Sequence, residues 1–258
     1  MTKQVAGASS SRRVLELLLS YSETRPRATV AELAEAIGAT LATTYRYVAL
    51  LRELDLLEEA PGRQYQLTPR VMPLARAAQL VNDRARLALP LMEELAEEVR
   101  ETVMLFELRG DEAVCVQRVE CQRPMRFTFM LGHPLPLHGG ASSRMLLAAL
   151  PEKLRKEALA TVPAKRRGDL AGEVAAVIER GYAVSRSEVD EGVWACSVPV
   201  VSGSPDALVL SIAGPDSRIP GEDPDYYIER ATSCAGRVRE ALGRLRVEAD
   251  ATGPPRTT

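Results

Sequence analysis

Apolar positions along this chain recur first at helical spacing, then alternate, then return to helical spacing, and each change predicts a new element. Val14, Leu17, Leu18 and Tyr21 lie three or four residues apart, which predicts a first helix with one buried stripe. Thr29-Val30-Ala31-Glu32 has the form of a capping box, so a second helix starts there, with Val30, Leu33, Ala34 and Ile37 facing inward. Gly38 suits the left-handed residue at its end, and Thr40 then caps a third helix. In that helix Tyr47, Val48, Leu51 and Leu54 share a packing face, with Ala42, Tyr45, Arg46 and Ala49 opposite. Leu56-Leu57-Glu58 and Gln64-Tyr65-Gln66-Leu67 flank the turn sequence Ala60-Pro61-Gly62-Arg63, which predicts a hairpin.

Beyond residue 70, Val71, Leu74, Ala75 and Ala78 predict a connecting helix, and Leu87, Leu91 and Leu95 a further one, in which Pro90 is tolerable if it lies in the first turn. Thr102 to Leu108 and Ala113 to Val119 read as a second hairpin around Arg109-Gly110-Asp111-Glu112, and Met125 to Met130 as a third strand. Prolines and glycines forbid helix from Gly132 to Gly140, whereas Ala141 to Leu150 is strongly helical. Leu170, Val174, Val177 and Ile178 predict a helix ending at Gly181. Tyr182 to Glu188, Val193 to Val201 and Leu208 to Gly214 follow as strands. Tyr227, Ala231, Cys234, Val238, Leu242 and Leu245 mark a final helix. Strands and helices in this order predict an α+β fold with an antiparallel sheet, in place of a doubly wound parallel one.

Composition narrows the class. With 258 residues, 46% of them hydrophobic, the chain can bury a substantial core. No run of about 18 uncharged apolar residues or signal-peptide centre occurs, so a cytoplasmic protein without membrane contact is expected. Cys115, Cys121, Cys196 and Cys234 show no paired spacing and lie in apolar segments, which predicts reduced core residues and no metal or other cofactor. A net charge of −2 excludes a surface that grips nucleic acid everywhere, leaving only a local contact. His133 and His138 lie in a Pro/Gly loop without nucleophile-elbow, phosphate-loop or metal-ligand spacing, so an enzyme is not expected.

The candidate chemistry sits at two places. The spacing of the second and third helices is that of a helix-turn-helix, and the hairpin after it reads as a wing with Arg63 near its tip. Small alanines on the outer face of the third helix let a backbone approach a DNA major groove, where Arg46 and the Tyr45 hydroxyl reach phosphates or base edges. A three-helix protein-interaction module fits the same spacing. Farther on, a glycine-rich loop feeds a helix start at Ala141, Ser142 and Ser143, whose N–H groups and dipole suit a carboxylate; Ser142 as a simple cap of a surface helix is the competing reading. Trp194 and Tyr182 could line an aromatic pocket, or Trp194 could be core.

Segments spread over residues 11–246 resemble the isocitrate lyase regulator (IclR) family of bacterial transcription regulators. They are Thr43-Thr44-Tyr45-Arg46, Glu101-Thr102-Val103, Pro136-Leu137-His138 with Ala141-Ser142, Arg180-Gly181-Tyr182 with Glu188, Gly192-Val193, Val198-Pro199-Val200 and Ser211-Ile212-Ala213-Gly214-Pro215. The resemblance implies an N-terminal winged helix-turn-helix and a C-terminal GAF-like antiparallel sheet flanked by helices, acting as a homodimer or dimer of dimers on a double-stranded DNA operator. It implies DNA contact by Thr40, Leu41, Ala42, Thr43, Thr44, Tyr45, Arg46 and Arg63. It also implies a small-molecule effector, a small organic or aromatic carboxylate, held by Gly140, Ala141, Ser142, Ser185, Val193, Ala195, Ser211 and Ala213. The chain departs from the family where Gly140 replaces a frequent threonine, where Ser143 and Arg144 replace a frequent glycine and lysine, and where Asp55 replaces a frequent glycine. The expected organisation is a tail over 1–10, a DNA-binding domain over 11–69, a linker helix over 70–84, an effector domain over 85–248 and a tail over 249–258.

Overall fold

A computed structural model describes residues 7–22, 25–110, 112–218 and 224–251, and the chain divides between Asn82 and Asp83 into two compact units. In the first unit, α1 (Ser9–Leu19), α2 (Val30–Ala36) and α3 (Leu41–Glu53) enclose a core of Leu17, Leu33, Ile37, Tyr47, Val48 and Leu51. The capping box forms as the sequence predicts: Glu32 N–H donates to Thr29 Oγ1 at 3.3 Å and Thr29 N–H to Glu32 Oε2 at 2.7 Å. Gly38 takes φ 58° between α2 and α3. The wing strands β2 (Leu57–Ala60) and β3 (Gln64–Leu67) pair antiparallel, and a short strand β1 (Arg27–Thr29), which sequence reading missed, adds to β3.

Several expectations change here. Leu54 is 46% exposed, because α3 closes one residue earlier and the chain turns through Asp55 at φ 58°, a left-handed position that explains the glycine of the resemblance. The first helix begins at Ser9, two residues ahead of the expected domain start at residue 11. The linker helix α4 (Met72–Leu80) forms, but Leu74 is 64% exposed and Met72 53% exposed.

The second unit is built on one antiparallel sheet in the order β6-β5-β4-β9-β8-β7. Its strands are β4 (Thr102–Arg109), β5 (Glu112–Val119), β6 (Pro134–Pro136), β7 (Ala183–Arg186), β8 (Val193–Val201) and β9 (Leu208–Pro215). Alternation sends Val103, Leu105, Trp194, Cys196, Leu210 and Ile212 to one face, where α5 (Asp83–Val99) and α9 (Asp225–Ala251) cover them. Met104, Phe106, Val209 and Ala213 go to the other face, under α6 (Ala141–Ala149) and α8 (Ala164–Arg180). Gly181 ends α8 at φ 81°, its N–H donating to Val177 O at 2.9 Å.

Pro90 lies in the middle of α5, not in its first turn, because the helix starts at Asp83. Met125 to Met130 forms no strand. On the side away from β4, β5 pairs instead with the three-residue β6, whose two prolines are tolerable only at a sheet edge. The helix α7 (Glu152–Thr161) was not predicted; it buries no residue fully and packs on the core only through half-buried Leu154, Ala158 and Leu159. Ile178 is 48% exposed, and α9 continues through the expected tail boundary to Ala251. Asp111 of the predicted turn lies outside the described residues, as does most of each predicted tail. Among the described residues no helix is long and apolar enough to cross a membrane.

The aromatic-pocket reading of Trp194 is corrected. Its side chain is fully buried between the sheet and α9, with its ring centroid 5.3 Å from that of Tyr227. The four cysteines are free and buried. Burial pushes the Cys115 and Cys196 thiols up to about 12, which keeps them protonated and inert at neutral pH.

Candidate functional site

The outer face of α3 is open. Thr40, Leu41, Ala42, Tyr45, Arg46 and Ala49 are exposed, Thr43 is half-buried, and Arg46 has no hydrogen bond or ion pair among the described residues. Thr40 Oγ1 accepts from the Thr43 N–H at 3.3 Å, which fixes the start of the helix. Thr44 is a correction to the contact set. It is fully buried and donates its hydroxyl to Thr40 O at 3.0 Å, so it braces the first turn and presents nothing outward. Arg63 is exposed at the wing turn and takes φ 57°, beside Gly62 at φ 83°. A non-glycine residue there costs about 1 kcal/mol.

In the second unit, a narrow cavity with about 30 Å³ of free volume lies between the sheet and the start of α6. Gly140, Ala141, Ser142, Ser185, Val193, Ala195 and Ala213 line it, so seven of the eight predicted effector residues share one wall system although they span 74 positions of sequence. Ser211 is the exception. It is fully buried behind the wall, where its hydroxyl meets Ser142 Oγ at 3.0 Å and Ser197 Oγ at 2.7 Å, so it orients Ser142 and does not face the cavity. Ser142 is therefore not a helix cap, and its helix is not a surface one.

Gly140 starts α6 at φ 83° without a side chain to cap it. The N–H groups of Ala141, Ser142 and Ser143 consequently have no partner within the helix. The Gly140 N–H is already taken: it donates to Glu188 Oε2 at 3.1 Å, so Gly140 lends the cavity its backbone surface only. A Cβ at this position would also meet Val189 Cγ2 at 2.9 Å.

Sequence reasoning missed the rest of the wall: Met104, Phe106, Phe127, Phe129, Leu135, Val189 and Asp190. The three phenylalanines of the chain are all here, with Phe106 and Phe129 centroids 5.6 Å apart. The absence of a strand over Met125 to Met130 serves this arrangement. Thr102 Oγ1 donates to Phe127 O at 2.5 Å and Gly132 N–H to Cys115 O at 2.8 Å, which drapes the segment over the cavity.

Arg144 is buried in the first turns of α6. It forms two hydrogen bonds to Glu188, at 2.5 and 2.7 Å, and one to Val184 O at 2.7 Å. Partial burial works to raise the Glu188 carboxyl, but Arg144, the Gly140 N–H and the charge of Arg166 outweigh it and hold the group below the usual carboxylate range.

An open helix-turn-helix face with a wing, in a chain whose second unit carries a narrow cavity at a helix start, has the make-up of a DNA-binding transcription regulator. The description "IclR helix-turn-helix domain" matches residues 10–61 and "Bacterial transcriptional regulator IclR C-terminal" matches residues 80–240. The chain belongs to the IclR family of bacterial transcriptional regulators. It is similar to the HTH-type transcriptional regulator KipR of Bacillus subtilis, with 29% identity over 88% of this chain and 94% of that one. The crystal structure of an IclR regulator from Alicyclobacillus acidocaldarius is similar at TM-score 0.74 and 27% identity, covering 93% of this chain and 99% of the other. An IclR homolog from Microbacterium hydrocarbonoxydans, complexed with 4-hydroxybenzoate, has the same fold at TM-score 0.73 and 21% identity, covering 91% and 99%. These relatives are transcriptional regulators and not enzymes.

Proposed function

We propose that the effector of this regulator is a small aromatic carboxylate, and that the protein acts on DNA as a dimer or dimer of dimers. The observation that carries the ligand class is the two-part wall of the cavity: unpaired N–H groups at the start of α6 beside Phe106, Phe127 and Phe129. Helix-start N–H groups and the helix dipole stabilise an anion. Phenyl rings stack on or pack edge-to-face against another ring. The 4-hydroxybenzoate of the Microbacterium homolog belongs to the same chemical class. An aliphatic acid satisfies the helix start but leaves the phenylalanine wall without a partner.

In this reading Thr40, Leu41, Ala42, Thr43, Tyr45 and Arg46 of the α3 face meet the major groove, and Arg63 meets a phosphate beside it. Self-association is supported by the exposed Met72 and Leu74 on α4. The test is a thermal-shift series with benzoate, cyclohexanecarboxylate, acetate and neutral benzamide. Benzoate at 100 times its Kd stabilises the folded protein by about 2.7 kcal/mol, and benzamide leaves the melting temperature unchanged. A larger shift with acetate than with benzoate, or equal shifts with benzoate and benzamide, rejects the ligand class.

A further inference from the structure

Residues 187–192, which join β7 to β8, form a closed turn. Ser187 takes φ 53° and Gly192 φ 73°, the Gly192 N–H donates to Ser187 Oγ at 3.0 Å, and the Ser187 N–H to Val193 O at 2.8 Å. Two of its residues, Val189 and Asp190, line the cavity, and Val189 closes on Gly140 at the α6 start. The turn holds its own hydrogen bonds, and its Gly192 carbonyl accepts from the Asp216 N–H at 2.8 Å. Its attachment to the helical side of the cavity is the Glu188 carboxylate, gripped by Arg144 and by the Gly140 N–H.

Arg144 is itself fixed. Its side chain is 6% exposed, it donates to Val184 O, and it lies 3.3 Å from Glu173, which is in turn paired with Arg166 at 2.5 and 2.9 Å. Charge-assisted, two-point hydrogen bonds of this kind are among the stronger contacts a side chain makes. Their strength here does not go into a solvent-free core, because the Glu188 side chain remains 33% exposed. On release the Glu188 carboxylate returns to water, while the buried Arg144 keeps Glu173 and the Val184 carbonyl as partners.

We infer that the Arg144–Glu188 pair is a latch that holds the 187–192 turn over the cavity and sets how readily a ligand enters and leaves. Arg144 and Glu188 are positioning residues: neither lines the cavity, and they act through Val189 and Asp190. The cavity's role as an effector site is taken from the proposed function, so the test separates the two. Ala195 lines the cavity from β8, and the native cysteines are buried.

The Ala195→Cys variant therefore places a thiol whose rate of reaction with iodoacetamide reports access, without reference to any ligand. Adding Glu188→Gln is expected to raise that rate about tenfold, and Arg144→Lys, which keeps the charge but loses the two-point geometry, to give an intermediate rate. Loss of fold is read separately from the unfolding transition of each variant by circular dichroism. A general loosening would also speed backbone amide exchange in α9, which a latch leaves unchanged. Equal labelling rates with and without Glu188→Gln, or acceleration accompanied by faster exchange throughout α9, overturns the latch. Benzoate should slow labelling of Ala195→Cys; if the latch variants label faster but benzoate protects nothing, the latch stands and the aromatic-carboxylate reading falls.

Discussion

Arg46→Ala should lower affinity for operator DNA by roughly 30-fold or more while leaving the fold intact. The side chain is exposed on α3 and has no partner among the described residues, so its removal exposes no buried group and leaves a good helix former. Surface changes of that kind alter stability by about 0.5 kcal/mol or less. Loss of a base or phosphate contact costs about 1–3 kcal/mol, and a symmetric dimer loses it twice, which converts to the stated factor at the low end. The measurement is fluorescence anisotropy on a duplex selected by the protein from a random pool, at fixed salt, with the salt slope recorded. A drop of only a few fold would argue for a single helix-turn-helix engaged at a time, and no drop would remove Arg46 from the interface. Thr44→Ala has the opposite expected signature, because Thr44 braces the helix start from inside and its loss is a stability effect.

Trp194→Ala should destabilise the second unit by about 3–5 kcal/mol, the range for truncating a large buried aromatic. Trp194 is fully buried among Val103, Met92, Ala231 and Val238, on the sheet face away from the cavity. Its neighbours on β8, Val193 and Ala195, point the other way and line the cavity, so one-residue alternation separates core from site. Calorimetry should therefore show the transition of the second unit shifted to low temperature and that of the first unit unmoved. Benzoate binding measured below that transition should change less than about threefold, since additivity holds for sites without shared partners. A change of less than about 1 kcal/mol with loss of benzoate binding would return Trp194 to the ligand site.

The contrast between these two residues shows what sequence patterning can and cannot carry. Arg46 was legible because helical period alone puts it opposite Tyr47, Val48 and Leu51, and the capping signals at Thr29 and Thr40 fix where that period begins. The face of Trp194 requires knowing which side of the sheet each helix covers, which no local period contains. The same limit explains Thr44 and Ser211. Both are small polar residues at positions where hydroxyls either meet a partner or satisfy the backbone, and only the packed structure distinguishes these uses. The short edge strand β6 was hidden by its prolines and β1 by its three-residue length. The phenylalanine wall is tertiary in origin, for Phe127 and Phe129 reach Phe106 through an irregular segment held by side-chain and backbone bonds from β4 and β5. The helix start at Ala141 was the exception. Its glycine loop and helix boundary are both local, so the anion-site argument could be made from the sequence and led to the cavity that the structure contains.

Regulation by a ligand requires that the ligand favour one DNA-binding state over another, and linkage makes that preference measurable from either side. Affinity for the selected duplex should be determined at one salt concentration with and without saturating benzoate. Benzoate is expected to change that affinity by about 5- to 150-fold in either direction, an effect abolished when the cavity is filled by Ala213→Phe. Identical duplex affinity in the presence and absence of benzoate, with benzoate shown to be bound, would contradict it.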